Sequence, residues 1–597
     1  MANGFGSLYV GAAGLRGAQN ALNTTANNMS NVDTQGYVRQ QVRFADMSYN
    51  RLKTASANVN LQQAGLGVSI GDVVHARDIF LDKTYRQEVG RREFYGVRYE
   101  TVSYVEDLMQ ELNGEQFKQS VNDLWQAFQE LSTKTGVSVY QNLVLEKSEL
   151  LVSRSQALYK DLQNYQDNLN LQIKEDVTRV NEIGNKIYEL NCQIQKVEAA
   201  GVETAMTLRD ARDNLLDELG AYGRIEVTED ATGFAYVDFE AVRFVDDNCC
   251  YNIGLKEEEG TGFYTPYWPQ LSVLSKEQYY EVFHTDMEIS SEMNTDVGGI
   301  KSKMIVRGDR YGKAKDLGVV DEKGNPVSDR DAYDQIALST VVKVQAQIDT
   351  LFTTIVRRMN DIFAPNIELG QDVNTVDENG DPVVIKKGSL ILDAENCPRG
   401  VDGELPPREL FVRAGCDRYT KITVQDQDAA GNPIFDDNND PVMKDYYVYN
   451  EEKQNDPNTQ YGIGSVGINE ELVKQITLMP AYTPDGAVDY EFGAKLAAAW
   501  ETADMKMNPY DAKPCTLASY YDRVVIELGT EGNTYKAIEE TLDGSVTYYD
   551  NERQKVSGVS SDEELTSMIK FQSAYNAASR FMTVISQMTE LIVTGLI

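Results

Sequence analysis

The chain has 597 residues, of which 42% are hydrophobic, and a formal net charge of −37 at pH 7. This length predicts several domains with apolar cores of their own. The negative charge argues against binding to nucleic acid or to an anionic membrane. No apolar run approaches the roughly 20 residues of a membrane span. The first residues, Met1 to Gly6, carry no basic or strongly apolar segment, so no cleaved secretory signal peptide is expected.

Metal and redox chemistry have little raw material in this sequence. The six cysteines show no CxxC spacing, and the two histidines, His75 and His284, lie far apart. We therefore expect structural thiols, no metal site, no cofactor and no catalytic residues. Whether any cysteines form disulfides stays open.

The N-terminal segment predicts an amphipathic helix from about Gly4 to Met29, followed by a break from Ser30 to Gly36. Its large apolar residues recur at helical heptad spacing on one face. Those residues are Phe5, Leu8, Leu15, Leu22 and Met29. Asparagine bonds the local backbone, so Asn28 and Asn31 can stop the helix. A direct contact of these two residues with a neighbouring subunit is the alternative.

The middle of the chain predicts helices first and strands later. Residues 1–265 and 515–597 contain no proline, which leaves both ends free to form long helices. Helical patterns cover about 76–112, 116–131, 137–198 and 204–219, the last one ending at Gly220. They are expected to pack as an antiparallel bundle. Period-two patterns then predict β-rich insertions at 222–300 and 366–480, and helical patterns return at 331–363, 488–504 and 515–540.

The last 35 or so residues repeat the habit of the first. A helix is expected to begin near Ser560, with Ser561 able to cap it and acidic residues in its first turn. Its apolar residues again recur at heptad spacing. They are Met568, Phe571, Tyr575, Ala578, Met582, Ile585 and Ile592. Two helices with apolar stripes at opposite ends of a chain suggest that the ends meet and pack.

The predicted fold class is therefore α+β and multidomain. It combines paired, coiled-coil-like terminal helices, a long helical bundle and two β-rich inserted domains. The expected domains are residues 1–36 with 560–597, the bundle from 37–221 with 301–365 and 481–559, and the insertions 222–300 and 366–480.

Both ends of the sequence carry motifs that resemble those of the bacterial flagellar axial proteins, the family of rod, hook and hook-associated proteins. Residues 26–37 read ANNMSNVDTQGY, and GLGV at 65–68 is followed by RDIFL at 77–81. The C-terminal motifs are RQKVSGVSSDEEL at 553–565 and MIKFQSAYNAASR at 568–580. These two C-terminal motifs, the chain length and the long bundle are most similar to the hook-associated members. The β insertions match nothing in the family.

This resemblance implies a structural component of the flagellum at the junction between hook and filament, without catalysis. It implies export through the type III apparatus, no cleaved signal peptide and an extracellular location in the flagellum. The implied partners are further copies of the chain, the hook protein, the next junction protein and an export chaperone at the C-terminal helix. The number of subunits in the assembly stays open.

The apolar stripe residues, with Asn28 and Asn31, are expected to form subunit interfaces. One stripe cannot offset the conformational entropy of ordering a whole terminal helix. We therefore expect both termini to be largely disordered in the monomer and to order on assembly.

Two alternative functions remain, and two local motifs need comment. The chain could be another axial protein, such as a hook or rod protein, or a junction protein whose β insertions also act as an adhesin or surface enzyme. Acidic turns at 377–381 and 436–440 carry oxygen ligands suited to Ca²⁺ but lack EF-hand spacing. The tripeptide Arg307-Gly308-Asp309 matches an integrin motif, and a solvated turn is expected there.

Overall fold

The computed structural model describes residues 2–34, 36–46, 50–51, 63–64, 67–110, 117–199, 204–321, 326–427, 432–436, 438, 440–453 and 456–595. α-Helices of 5 to 61 residues occur in both halves of the chain. They are α1 (Ala2–Ser30), α2 (Ile79–Gln110), α3 (Phe117–Thr133), α4 (Ser138–Glu198), α5 (Met206–Tyr222), α6 (Gly299–Arg307), α7 (Arg330–Ile336), α8 (Thr340–Phe363), α9 (Glu470–Lys474), α10 (Tyr490–Glu501), α11 (Leu517–Ser557) and α12 (Ser561–Thr594).

The strands are short and form several small antiparallel sheets. They are β1 (Gln40–Asp46), β2 (Asn50–Arg51), β3 (Gln63–Ala64), β4 (Val68–His75), β5 (Ile225–Glu229), β6 (Ala235–Phe239), β7 (Val242–Val245), β8 (Gly254–Glu257), β9 (Tyr264–Tyr267), β10 (Asn366–Glu368), β11 (Val373–Val376), β12 (Pro382–Ile385), β13 (Leu390–Leu392), β14 (Phe411–Arg413), β15 (Tyr419–Gln425), β16 (Met443–Tyr449) and β17 (Val466–Ile468). The largest sheet has the order β10-β13-β16-β15, and β5-β6-β7 form a meander.

The bundle is held by helices that are far apart in sequence. Helices α2 and α11 run antiparallel, because Asp82 pairs with Arg553 near one end and the Tyr521 hydroxyl donates to the Met109 carbonyl near the other. Helix α8 lies at the centre and is buried along its whole first half, from Thr340 to Phe352. These contacts place the start of α2 and the end of α11 at the same end of the bundle.

Apolar residues that recur every seven positions along α4 form core. Ile173, Val180 and Ile187 are fully buried in one cluster with the β5-β6-β7 meander and Trp268, and Ile194 is fully buried as well. A second core joins α3, the first half of α4, α8, α10 and α11. The hydrophobic periodicity of the sequence therefore reported the buried face of this helix correctly.

Four details differ from the sequence expectations. Helix α5 continues past Gly220 to Tyr222, and the expected helix at 331–363 is divided into α7 and α8. Helix α11 continues to Ser557 instead of ending near residue 540. The cap of α12 is Ser560 and not Ser561, because the Ser560 hydroxyl accepts the backbone N–H of Glu563. Local residue preferences do not fix such boundaries, since tertiary packing extends or divides helices by whole turns.

The α+β multidomain class is confirmed by this arrangement of long terminal helices, bundle and small sheets. The four domain boundaries given above stay predictions. Within the part of the chain that the structure describes, no helix is long and apolar enough to cross a membrane.

Candidate assembly site at the terminal helices

Helices α1 and α12 pack against each other along a seam of small residues. They run antiparallel, because Gly11 faces Met582, Gly14 faces Ala578, and Asn28 lies beside Glu564. A Cβ atom added at Gly11 would lie 2.6 Å from the sulfur of Met582. The buried face of α1 is accordingly made of short side chains, which are those of Gly11, Gly17, Ala18, Ala21, Thr25 and Asn28. Small side chains let two helix axes approach closely.

The predicted stripe of α1 therefore flanks the seam instead of forming it. Leu8, Leu15, Leu22 and Met29 are only half-buried in the single chain. The Phe5 side chain lies outside the described part of the structure. The row of small residues has the same alternating spacing, so the sequence did contain this pattern. Large apolar side chains predict a different face of α1 from the one that contacts α12.

On α12 the predicted residues divide into two groups. The members that face α1 or its flank are half-buried, and they are Met568, Phe571, Ala578, Met582 and Ile585. The ring of Phe571 also contacts Phe44 of β1 edge-on, with centroids 6.2 Å apart. Tyr575 and Ile592 are exposed.

A second set of large apolar side chains, here called the second apolar face of α12, is largely exposed to solvent. Its large side chains are exposed, and they are Leu565, Ile569, Phe581, Val584, Met588 and Leu591. Large apolar side chains that a single chain leaves exposed in two groups, at 565–569 and 581–591, favour an interaction site. They are not part of the heptad row that the sequence predicts as the contact face.

The segment between α1 and β1, here called the hinge, is held in place by Asn28. Its side-chain amide donates to the Gln40 carbonyl at 2.9 Å and to the Glu564 carboxylate at 3.2 Å. Its oxygen accepts the Gln40 N–H at 3.1 Å and the Tyr37 hydroxyl at 2.8 Å. Asn28 is 1% exposed. The structure therefore shows Asn28 in contacts within its own chain, and a contact with a neighbouring subunit stays a prediction.

Asn31 closes the end of the helix. Its side-chain amide donates to the Asn27 carbonyl at 2.9 Å, which satisfies a backbone group that the helix end leaves open. Gly36 follows with a φ of +76°, and a Cβ there would collide with the side chain of Asn214. The turn between helix and strand therefore requires glycine at this position.

Arg39 connects the hinge to the start of α12. Its guanidinium donates to Glu564 at 2.7 Å and to Glu563 at 2.8 Å, and its backbone N–H donates to the Ser557 carbonyl. Glu564 is almost fully buried. Since these groups come from residues more than 500 positions apart, they fix the two chain ends to each other where both leave the bundle.

A second polar contact fixes the hinge to the bundle. The Nε2 atom of His75 lies 3.3 Å from an Asp210 oxygen, and the other Asp210 oxygen accepts the Val38 N–H at 3.5 Å. Burial lowers the pKa of His75 to about 4, with Arg77 adding to the effect. Burial raises the pKa of Asp210 to about 6. Both shifts favour the neutral forms of two side chains that are 9% exposed.

The other candidates from the sequence are bound up in local structure. Arg307 is buried, and its guanidinium donates to Asn170 at 2.6 Å, so it cannot present an integrin motif. Asp377 accepts two backbone N–H groups of its own turn at 2.9 Å, and Asp436 does the same at 2.8 and 2.9 Å. Within the described residues, no cluster of three or more metal-ligating side chains exists, and all six cysteines are free thiols.

Three family models match the chain. The model "Flagellar hook-associated protein FlgK helical domain" matches residues 102–274. The C-terminal model of the flagellar basal body rod FlgEFG proteins matches 552–594, and the flagella basal body rod model matches 8–37. The end models cover most of α1 and α12. The helical-domain model covers much of the bundle and also β5 to β9, so the expectation that the first β insertion matches nothing in the family was wrong.

The curated relatives agree with these models. Flagellar hook-associated protein 1 of Bacillus subtilis is 25% identical over all of this chain and 99% of its own length. The protein of the same name from Salmonella typhimurium is 26% identical over 36% of this chain and 38% of its own length. The flagellar hook protein FlgE of Borreliella burgdorferi is 30% identical over 14% of this chain and 21% of its own length. The solved flagellar hook junction protein FlgK of Burkholderia pseudomallei has 13% identity and a TM-score of 0.47, covering 80% of this chain and all of its own.

These matches confirm the resemblance that the terminal motifs predicted. The relatives are structural flagellar proteins, which also confirms the interpretation that the chain is not an enzyme. The chain is thus similar to flagellar hook-associated protein 1 (FlgK) over its whole length, which supports a structural component of the bacterial flagellum.

Proposed function

We propose that this chain forms the junction between hook and filament and polymerises there through α1 and α12. The names of its relatives support this place in the flagellum. The helical-domain match at 102–274 supports it against a hook or rod protein, because the FlgE relative shares only a short part of the chain.

The observation that carries the proposal is the second apolar face of α12. A single chain leaves that face in contact with water. The side chains of Leu8, Leu15 and Leu22 are also only partly buried. Burying each large apolar side chain gains about 1.5–3 kcal/mol. Copies packed side by side through these helices would cover both faces, which gives the assembly a hydrophobic driving force. The stripe residues and Asn31 are the proposed contacts of that lattice.

The four predicted domains would then form layers. The terminal pair, residues 1–36 with 560–597, would lie innermost, the bundle outside it and the two β insertions toward solvent. The net charge of −37 suits an exposed outer layer. The hook protein and the next junction protein would contact the two ends of the assembled ring.

Export as an unfolded chain through the type III apparatus is the second part of the proposal. It would deliver the protein to the outside of the cell without a cleaved signal peptide. An apolar face such as that of α12 would aggregate before export, so a chaperone that covers the C-terminal helix is the expected partner in the cell.

Deletion of the gene tests the proposal. Cells without the chain are expected to build hooks without filaments and to shed flagellin into the medium. Complementation with the full chain should restore filaments, whereas a chain that lacks 561–597 should not. Normal filaments in the deletion strain would refute the junction role.

A further inference from the structure

Ile79 and Phe80 stand out at the first turn of α2. They are 83% and 72% exposed, and Ile79 is the most exposed large apolar side chain among the described residues. The Asp78 carboxylate caps this turn by accepting the N–H of Phe80 at 2.9 Å. Asp82, one turn on, pairs with Arg77 at 2.9 Å and with Arg553 at 3.4 Å. The two apolar residues are therefore presented on a fixed backbone at the end of the bundle beside the hinge.

A rigid pair of large apolar side chains in water suits a binding anchor. Interfaces take most of their affinity from a few such residues, and a fixed backbone reduces the entropy lost on binding. Ile79 and Phe80 contribute little to the core of their own chain, because most of their surface faces solvent. A role outside the single chain accounts for their position.

Charge narrows the choice of partner to the middle of α12. Between residues 565 and 589 the only charged residues are Lys570 and Arg580, although the whole chain carries −37. Ile569, beside Lys570, is 57% exposed. Asp78, beside the apolar pair, is also exposed. Neither Asp78 nor Lys570 has an ion-pair partner within the described residues.

We propose that Ile79 and Phe80 of one copy dock on the apolar face of α12 around Ile569 in a second copy, with Asp78 opposite Lys570. This inference rests on the proposed function and names a contact for it. The contact is head-to-tail, since two different surfaces meet, and such contacts generate rings or helical lattices. Acidic copies that repel each other elsewhere would meet here through an apolar patch flanked by opposite charges.

Disulfide cross-linking in isolated flagella tests the contact. One set of copies carries Phe80→Cys and another, with a different tag, carries Ile569→Cys, and both are co-expressed with the unmodified chain. Mild oxidation should give a species of twice 66.8 kDa that bears both tags. It should form only when both variants are present. Val139→Cys with Ile569→Cys is the matched control, because Val139 is 69% exposed on a different part of the bundle.

The result can separate this contact from the junction role. If both tagged variants are present in the flagella but no two-tag product forms, the contact is overturned and the proposed function stays intact. Ile79→Cys provides a second position, so failure at both positions is decisive. Absence of the unmodified chain from flagella would instead overturn the proposed function.

The charge pair has its own test in the same assay. Lys570→Glu should reduce the two-tag product several-fold. Asp78→Asn should reduce it as well, and asparagine keeps the cap of α2. Since both changes remove one interaction, the double variant should be no weaker than Lys570→Glu alone. If the two changes act independently, the fold-reductions in the two-tag product multiply in the double variant. That result would refute the pairing of Asp78 with Lys570.

Discussion

The bundle and the terminal helix pair bury their apolar residues in opposite ways. In the bundle, large side chains such as Leu351 and Phe352 of α8 are fully buried. In the terminal pair, the contact is made by small residues, and the large side chains of both helices are half-buried or exposed. One region is packed within the single chain, whereas the proposed assembly would complete the packing of the other with further copies. A heptad row of apolar residues thus forms core on α4 and, in the proposed assembly, would form a contact surface on α1 and α12.

Hydrogen exchange should show the largest difference between the two regions. In a dilute monomer, amides of α8 should exchange only through global unfolding, because the helix lies in the main core. Amides of α1 and α12 should exchange by local unfolding, since the seam alone cannot offset the entropy of ordering them. The measurement is native-state exchange followed by mass spectrometry. Equal protection of α12 and α8 in the monomer would contradict the comparison.

The His75 and Asp210 pair should give the next largest effect, as a dependence of stability on pH. The pKa of His75 is lowered to about 4, so its contribution is present above pH 6.5 and is lost as pH falls toward 4. The pKa of Asp210 is raised to about 6, so its contribution has the opposite sign between pH 6 and 4. The two largely cancel. Compared with the unmodified chain, Asp210→Asn should lose about 2 kcal/mol more of its free energy of unfolding between pH 7 and 4.

His75→Gln is the matched partner of that variant. It removes the His75 contribution, so its free energy of unfolding should rise, relative to the unmodified chain, as pH falls from 7 to 4. Urea unfolding at several pH values measures both slopes. Slopes of equal sign in the two variants would show that burial is not the cause of the shifts.

Asn28→Asp should break the hinge while leaving the bundle intact. The new carboxylate cannot donate to Gln40 or Glu564, and it would lie against the Glu564 carboxylate. Loss of hydrogen bonds to a charged group costs about 2–3 kcal/mol. Incorporation into flagella should fall, and the thermal midpoint of the bundle should stay unchanged. Asn27→Asp is the control, because the exposed Asn27 bonds only to Tyr37 and Asn31.

The sequence predicted the elements better than the contacts. The rows on α4, the break after Ser30 and the pairing of the chain ends followed from periodicity and from asparagine chemistry. The seam of α1 did not, because the pattern of large side chains gives no information on which face meets which partner. The tie between Asn28 and Glu564 joins residues 536 positions apart, and no local rule connects them. His75 and Asp210 lie in separate elements for the same reason.

Gly11→Val should separate the helices of the terminal pair at moderate cost. The added side chain would meet Met582 and Phe581, and overpacking of this kind costs about 1–2 kcal/mol. Assembly in the complementation assay should weaken, while the melting of the purified monomer should not change. Gly6→Val is the matched control on the same helix, because nothing lies within 4 Å of a Cβ at Gly6. Equal effects of the two variants would remove the seam from the account.

Val584→Asn should have the smallest effect on the monomer and yet stop assembly. Val584 is 48% exposed, and an exposed substitution changes the free energy of unfolding by less than about 0.5 kcal/mol. In the lattice the same position would be covered, so asparagine would bury a polar group without a partner. Filament formation in the complemented deletion strain measures the difference, and Val139→Asn, at 69% exposure, should leave it unchanged. If both variants assemble alike, the apolar face of α12 is ordinary surface. The contrast between the bundle, which is packed within one chain, and the terminal helices, which would be packed by further copies, then fails at α12.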